Sequence, residues 1–298
     1  MKIRVLALAI ALVPLAAVPA PAQDDFDAVE IKAEKVADGL YMLTGSGGNL
    51  GLSVGEDGAY LIDDQYAPLT GKILAAVKAL TPEPVRFVVN THYHGDHTGG
   101  NENLGEAGAL IVAHDNVRRR MAAGTFMKAF NRQVEPAPEG ALPVITFSDA
   151  ASFHWNGEEI RVFFVGPAHT DGDSIVHFVK ADVFHMGDTL FNGMYPFIDV
   201  SAGGRIDGMI AAADRVLKVA DEKTRIIAGH GPVATRTDLQ ANRDMLATVR
   251  DRVAKLKAEG KTAEEIVAAK PTADLDETWG GGFMQPDVWV GLVYESMK

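Results

Sequence analysis

Short apolar runs alternate with longer stretches of helical spacing along most of the chain. Leu40–Thr44, Leu50–Val54 and Ala59–Asp63 are brief, apolar and separated by glycine turns, which predicts three strands. Pro68–Leu80 carries apolar positions at helical spacing with Pro68 near its start, so it predicts a helix. Val85–Asn90 is β-branched, with prolines before it and turn residues after it, and reads as a buried strand. Ala109–Ala113 predicts a further strand, and Asp115–Met121 a helix with Asp115 as its N-cap. Gln133–Pro143, with Pro136, Pro138, Gly140 and Pro143, reads as a surface loop.

The second half repeats the alternation. Ile160–Val165, Ile175–Val179 and Val183–Met186 predict strands, Asp207–Val219 a helix, Arg225–Ala228 a strand and Asp238–Lys257 a long helix. Short helices are expected at Ala263–Ala269 and Asp287–Met297. No tandem repeat or low-complexity tract interrupts this order. Meandering strands with helices at intervals point to an α/β fold of mixed sheets covered by helices rather than to a purely parallel sheet.

Polar residues gather where these strands end. Val85–Asn90 runs into Thr91-His92-Tyr93-His94-Gly95-Asp96-His97-Thr98-Gly99-Gly100, three imidazoles and a carboxylate within six residues. Ile160–Val165 is followed by Gly166-Pro167-Ala168-His169-Thr170, Val183–Met186 by Gly187-Asp188-Thr189, and Arg225–Ala228 by Gly229-His230-Gly231-Pro232. Neutral imidazole and carboxylate together suit a borderline cation such as zinc. One strand-terminal histidine means little, but four strand ends all delivering His or Asp point to a shared site. Seven groups divide into three histidines for one ion, Asp-His-His for a second, and a carboxylate left to bridge two metals about 3.5 Å apart. The other histidines read as structural: His114, His177 and His185 lie in or beside strands, and His154, next to Trp155-Asn156-Gly157, reads as a turn residue. His185 is also a candidate support for the site. The segments Gly124–Phe130 and Met194–Phe197 either wall a cleft or pack in the core.

Composition narrows the classes. Met1-Lys2-Ile3-Arg4, an apolar run from Val5 to Val13, and Ala20-Pro21-Ala22 read as a signal peptide over residues 1–22, cleaved after Ala22, followed by one domain over 23–298. The expected product is periplasmic or secreted and carries no membrane anchor. Removal of Lys2 and Arg4 leaves 26 basic against 40 acidic residues, a net −14, which argues against nucleic acid as a partner. The chain has no cysteine, so neither a disulfide nor a thiolate ligand is available. The partner expected is a small-molecule substrate.

The order His92-x-His94-x-Asp96-His97, then His169, Asp188 and His230, resembles the signature of the metallo-β-lactamase superfamily. The resemblance implies an αββα sandwich with its metal site in a cleft at one edge. It further implies two Zn2+ ions, the first on His92, His94 and His169, the second on Asp96, His97 and His230, with Asp188 bridging. Two zinc ions sharing a water would lower its pKa towards neutrality and supply hydroxide at pH 7 to attack a carbonyl carbon. Asp96 would orient that nucleophile and transfer its proton, as the catalytic residue.

The substrate implied is a cyclic amide or ester, with β-lactams the specific expectation. The broad-spectrum β-lactamase branch has a cysteine where this chain has Asp188, and a substrate-gripping lysine where it has Phe191. Arg205 is the candidate cation to replace that lysine. Asp188 resembles the thioesterase, lactonase and persulfide-dioxygenase branches instead. The alternatives are therefore a dizinc lactonase, esterase or thioesterase with weak β-lactamase activity, and an iron-dependent dioxygenase that leaves His97 and His230 unused.

Overall fold

The computed structural model describes residues 26–297, so the expected leader lies outside the described residues. The first half gives β1 (Lys32–Ala37), β2 (Leu40–Thr44), β3 (Leu50–Ser53), β4 (Ala59–Ile62), α1 (Thr70–Leu80) and β5 (Val85–Asn90). The one-turn α2 (Gly95–Thr98), α3 (Asn101–Glu106), β6 (Leu110–His114), α4 (Asp115–Ala123), the hairpin β7 (Thr125–Met127) and β8 (Arg132–Val134), and β9 (Ile145–Phe147) follow. Strands β1 to β6 and β9 form one seven-stranded sheet in that order, antiparallel up to β4 and parallel from β4 onward.

The second sheet has six strands in sequence order: β10 (Ala150–Trp155), β11 (Glu158–Phe164), β12 (Ser174–Phe178), β13 (Val183–His185), β14 (Arg225–Ile227) and β15 (Ala234–Thr235). Only β13 and β14 run parallel within it, because helix α5 (Ile206–Leu217) crosses between them. The chain then closes with α6 (Arg236–Ala258), α7 (Ala263–Ala268), α8 (Asp276–Trp279) and α9 (Pro286–Ser296).

The two sheets pack face to face through Tyr60, Ile62, Val89 and Val112 on one side and Ile160, Val162, Val176, Phe178, Val183 and Ile227 on the other. The opposite face of the first sheet, with Leu61, Val88 and Ile111, lies under α1. The opposite face of the second, with Phe184 and Ile226, lies under α5 and α6. A continuous apolar run such as Val85–Asn90 is what a strand buried on both faces requires. Val89 serves the inter-sheet core and Val88 the helix layer. This is the αββα sandwich.

Local details differ from the sequence expectation. The N-cap of α4 is His114, whose Nδ1 accepts from the Asn116 amide at 3.1 Å, and Asp115 is the first helical residue. A carboxylate there still favours the positive end of the helix. Gln133–Pro143 is not simply a surface loop: it contains part of β8, and Ala141 and Leu142 are buried against Tyr93 and Val117. Asn101 draws it inward by donating to the Ala141 carbonyl. His154 belongs to exposed positions of β10, and the turn beside it is made by Asn156 and Gly157, both at positive φ. Among the described residues, no helix is long and apolar enough to cross a membrane.

Candidate metal centre

Strand β5 ends at one edge of the sandwich, and its continuation is held by buried hydrogen bonds. Asp63 accepts from the Thr91 amide (2.7 Å) and hydroxyl (2.8 Å). His94 has extended backbone and begins the single turn α2, which carries Asp96 and His97. The His97 carbonyl accepts from the Asp64 amide and from Asn90 Nδ2, and the Asp96 carbonyl accepts from the Gly48 amide. Each end of the loop is thereby tied to a strand.

The other three segments converge on this loop. His169 follows β11 and its Nδ1 donates to the Phe197 carbonyl at 2.7 Å, which directs Nε2 inward. Asp188 sits in a 3₁₀ turn after β13. His230 follows β14 in a loop clamped by Asn49, whose Nδ2 donates to the carbonyls of Ala228 and Gly231.

All seven expected residues meet. His92, His94, His169 and Asp188 form one set and Asp96, His97 and His230 another, with donor atoms inside each set within 4.8 Å of one another. Asp188 lies between the sets: Oδ2 is 3.4 Å from His169 Nε2, 3.5 Å from His230 Nε2 and 3.8 Å from His92 Nε2, while Oδ1 is 3.1 Å from His97 Nε2. Asp96 Oδ2 stands 3.4 Å from His230 Nε2 and 3.5 Å from His97 Nε2.

These residues fit a metal. Donors about 2.1 Å from a tetrahedral ion stand roughly 3.4 Å apart, which is the spacing seen. His92 Nε2, His97 Nε2 and Asp188 Oδ1 are buried without a hydrogen-bond partner. Buried polar atoms are rarely left so, and here all three point into one cluster.

Charge follows the same division. Burial drives the imidazoles of His92 and His169 down, His169 to about 4, so both rings are neutral and ready to ligate. Burial opposes charge on His97 and His230 as well, but Asp188 and Asp96 outweigh it, and His230 is raised to about 9. Asp96 is lowered to about 2 against the cost of burial, chiefly by His97. Asp188 is held well below the ordinary carboxylate range by the rings of His97, His230, His92 and His169, although burial opposes this.

Residues 43–231 match the family model of the metallo-β-lactamase superfamily. The chain belongs to the metallo-β-lactamase superfamily. All seven residues of the candidate metal cluster lie within the matched stretch. A hydroxyacylglutathione hydrolase of Pelagibacter ubique is 27% identical over 150 residues, 49% of this chain and 52% of that protein, so the match spans about half the relative's length. Among solved structures, a metallo-β-lactamase from Pontibacter korlensis superposes with a TM-score of 0.62 at 19% identity, covering 73% of this chain and 99% of that one. The stereoselective inverting sec-alkylsulfatase Pisa1 from Pseudomonas sp. gives a TM-score of 0.71 at 21% identity, over 90% of this chain and 50% of that one. At these identities the structural likenesses speak for the fold.

Two carboxylates behind the ligands were not singled out from the sequence. Asp63 Oδ2 lies 2.8 Å from His97 Nδ1, and Asp199 Oδ2 lies 2.9 Å from His94 Nε2. Asp63 had a visible signal, because it ends a strand as the ligands do. Asp199 lies in the irregular stretch before α5 and had none. His185 touches Asn49 and Gly187 through its two ring nitrogens and so braces the segments that hold His230 and Asp188. His177 stacks on Phe184.

Arg205 precedes α5, and its amide donates to the Ala168 carbonyl at 2.6 Å. Its Nε is enclosed without a hydrogen-bond partner. Phe191 is buried and stacks on His230 with ring centroids 4.8 Å apart.

Proposed function

We propose that the chain is an exported dizinc hydrolase that cleaves a cyclic amide or ester of a small molecule, β-lactams included. The observation that supports this reading is Asp188 set between two facing donor sets, with unpartnered nitrogens of His92 and His97 directed at them. His92, His94 and His169 would hold one zinc, Asp96, His97 and His230 the other, and Asp188 would bridge. Zinc so held supplies Lewis acidity and lowers the pKa of water towards neutrality. An iron dioxygenase that leaves His97 and His230 unused fits less well, since both rings face the same carboxylates as the remaining donors.

The protein's own groups then have distinct tasks. The Asp96 side chain is 23% exposed, the most open carboxylate of the cluster, and its oxygen is able to hold a proton of the attacking water. The buried rings orient the acyl group and exclude bulk solvent. The net reaction places hydroxyl on the acyl carbon, breaks its bond to nitrogen, oxygen or sulfur, and returns a proton to the leaving atom.

A thioester is the second reading, favoured by an oxygen ligand at Asp188 and by the name of the Pelagibacter relative. Arg205 is proposed as the contact for an anionic end of the substrate. Export rests on the sequence of residues 1–22, and N-terminal sequencing of the protein from the periplasmic fraction tests it. Hydrolysis of a penicillin, a cephalosporin, a carbapenem, a lactone and a thioester by zinc-loaded protein separates the substrate classes. Metal analysis giving one iron per chain in place of two zincs would overturn the reading.

A further inference from the structure

Three aromatic rings run from the metal cluster to solvent. Phe197 stacks on His94 at 5.8 Å between centroids and meets His169 nearly edge-on at 5.6 Å. Phe130 meets Phe197 at 4.9 Å, and Phe283 meets Phe130 at 5.7 Å. Exposure grows along the row: Phe197 is buried, Phe130 half-buried, and Phe283 60% exposed.

The rings come from three segments that are fastened together. The Tyr195 amide donates to the Trp279 carbonyl at 2.8 Å, joining the Phe197 stretch to the Phe283 stretch. The Lys128 amide donates to Ser201 Oγ, and the Lys128 ammonium pairs with Glu295 on α9, joining the β7–β8 connection to both. Gly282 lies against Met194, where a Cβ would stand 2.6 Å from the methionine Cβ. The flank beside His230 is aromatic too, because Phe191 stacks there.

We propose that the row Phe197–Phe130–Phe283 is the binding wall for an apolar group, aryl-alkyl or medium-chain alkyl, carried by the substrate beside its scissile acyl bond. This rests on the hydrolase reading above and narrows its substrate class. A solvent-exposed phenyl ring is unfavourable in water and becomes favourable when an apolar group covers it. The row also begins at the rings that would hold the first metal, so a group lying along it places its acyl carbon at the cluster. A strongly polar acyl group would gain nothing from this surface.

Two measurements test the proposal. Zinc-loaded protein should hydrolyse ethyl phenylacetate with kcat/KM at least about tenfold above ethyl acetate, and Phe283→Ala and Phe130→Ala should each shrink that preference several-fold, mainly through KM. Val219→Ala, an exposed apolar residue outside the row, should leave the preference intact. Metal-free protein, followed by NMR, should bind 4-phenylbutanamide about tenfold more tightly than butanamide, and Phe283→Ala should close the gap. Since Phe283 is largely exposed, that variant retains the packed core. Equal binding of the two amides by the unsubstituted protein would overturn the wall. A binding gap without cleavage of any ester supports the wall and counts against the hydrolase reading alone.

Discussion

His94 is gripped from both sides: its Nε2 lies 2.9 Å from Asp199 Oδ2, and its Nδ1 lies 2.9 Å from Nε2 of His169. Asp199 thereby selects the tautomer that turns Nδ1, unlike the Nε2 of the neighbouring rings, towards the cluster. Tyr93 donates its hydroxyl to the same carboxylate oxygen at 2.5 Å. Burial works against the Asp199 charge, but the His94 and Tyr93 hydrogen bonds prevail and hold its carboxyl at about 2. Asp199→Asn removes that charge and allows the ring to turn. Zinc affinity of the three-histidine set should fall roughly 10- to 100-fold, measured by competition with a chromogenic chelator. Unchanged affinity would leave Asp199 with no positioning role.

Asp63 does for His97 what Asp199 does for His94, and it also secures the start of the loop through Thr91. Its backbone has φ 59°, a conformation asparagine accepts readily, so Asp63→Asn should fold. Asparagine has one acceptor oxygen, so it cannot accept from the Thr91 amide on one side and from Thr91 Oγ1 and His97 Nδ1 on the other, as the two carboxylate oxygens do. Metal content should drop from two ions per chain towards one, with the three-histidine set still filled, as elemental analysis after dialysis will show.

Much of this was legible in the chain. Strand Val85–Asn90 emerged with its expected limits, because an apolar run closed by turn residues on both sides has few alternatives. The meeting of the seven donor residues was legible for a related reason: each follows the end of a strand, and the ends of β5, β11, β13 and β14 come together at one edge. The supports were not. Asp199 reaches His94 across 105 residues, from a segment with no regular pattern. Edge elements such as β1 and β10, with exposed or alternating positions, offered too weak an apolar signal. His114 displaced Asp115 as a cap because its ring nitrogen reaches the Asn116 amide, a contact that residue type alone did not favour.

Of the seven candidate ligands, Asp96 is the one whose loss should cost most in turnover relative to metal content. It is the most exposed of the carboxylates in the cluster and sits at the rim with His230. Asp96→Ala should lower kcat by at least about 100-fold, the usual range for a positioned proton-transfer group. Elemental analysis of the same sample should show the three-histidine set still loaded. Turnover at the level of the unsubstituted protein would remove Asp96 from the chemistry.

The two donor sets should respond differently to pH. His169, at about 4, and His92, also lowered, hold no proton at pH 7 to be displaced by a metal. His230 at about 9 and His97, also raised, are protonated in the metal-free protein and must release those protons to ligate. Lowering the pH from 8 to 6 should therefore empty the Asp96-His97-His230 set first. Calorimetry in two buffers of different ionisation enthalpy should show release of at least one proton with the second equivalent of zinc. In the metal-free protein, the charged His230 contributes stability that is complete below 6.5 and is lost as pH rises through about 9. Simultaneous loss of both ions on acidification would contradict this division.

Gly48 gives the most local test of the second set. A Cβ at this position would lie 2.1 Å from Cε1 and 2.3 Å from Nε2 of the His97 ring, far inside contact distance. The ring cannot swing aside freely, since its Nδ1 is held by Asp63 and the residue is buried. The main-chain position of residue 48 is fixed as well, because its amide donates to the Asp96 carbonyl and its carbonyl accepts from Gln65 Nε2. Gly48→Ala should therefore break either the His97 contact or the loop anchor, and both lead to loss of the second metal. Gly71 makes a fair comparison: it lies exposed in α1 with nothing within 4 Å of a built Cβ. Gly71→Ala should raise stability by about 0.5–1 kcal/mol through helix propensity, with metal content unchanged. Two zincs bound by Gly48→Ala at the affinity of the unsubstituted protein would show that His97 has more freedom than its hydrogen bonds allow.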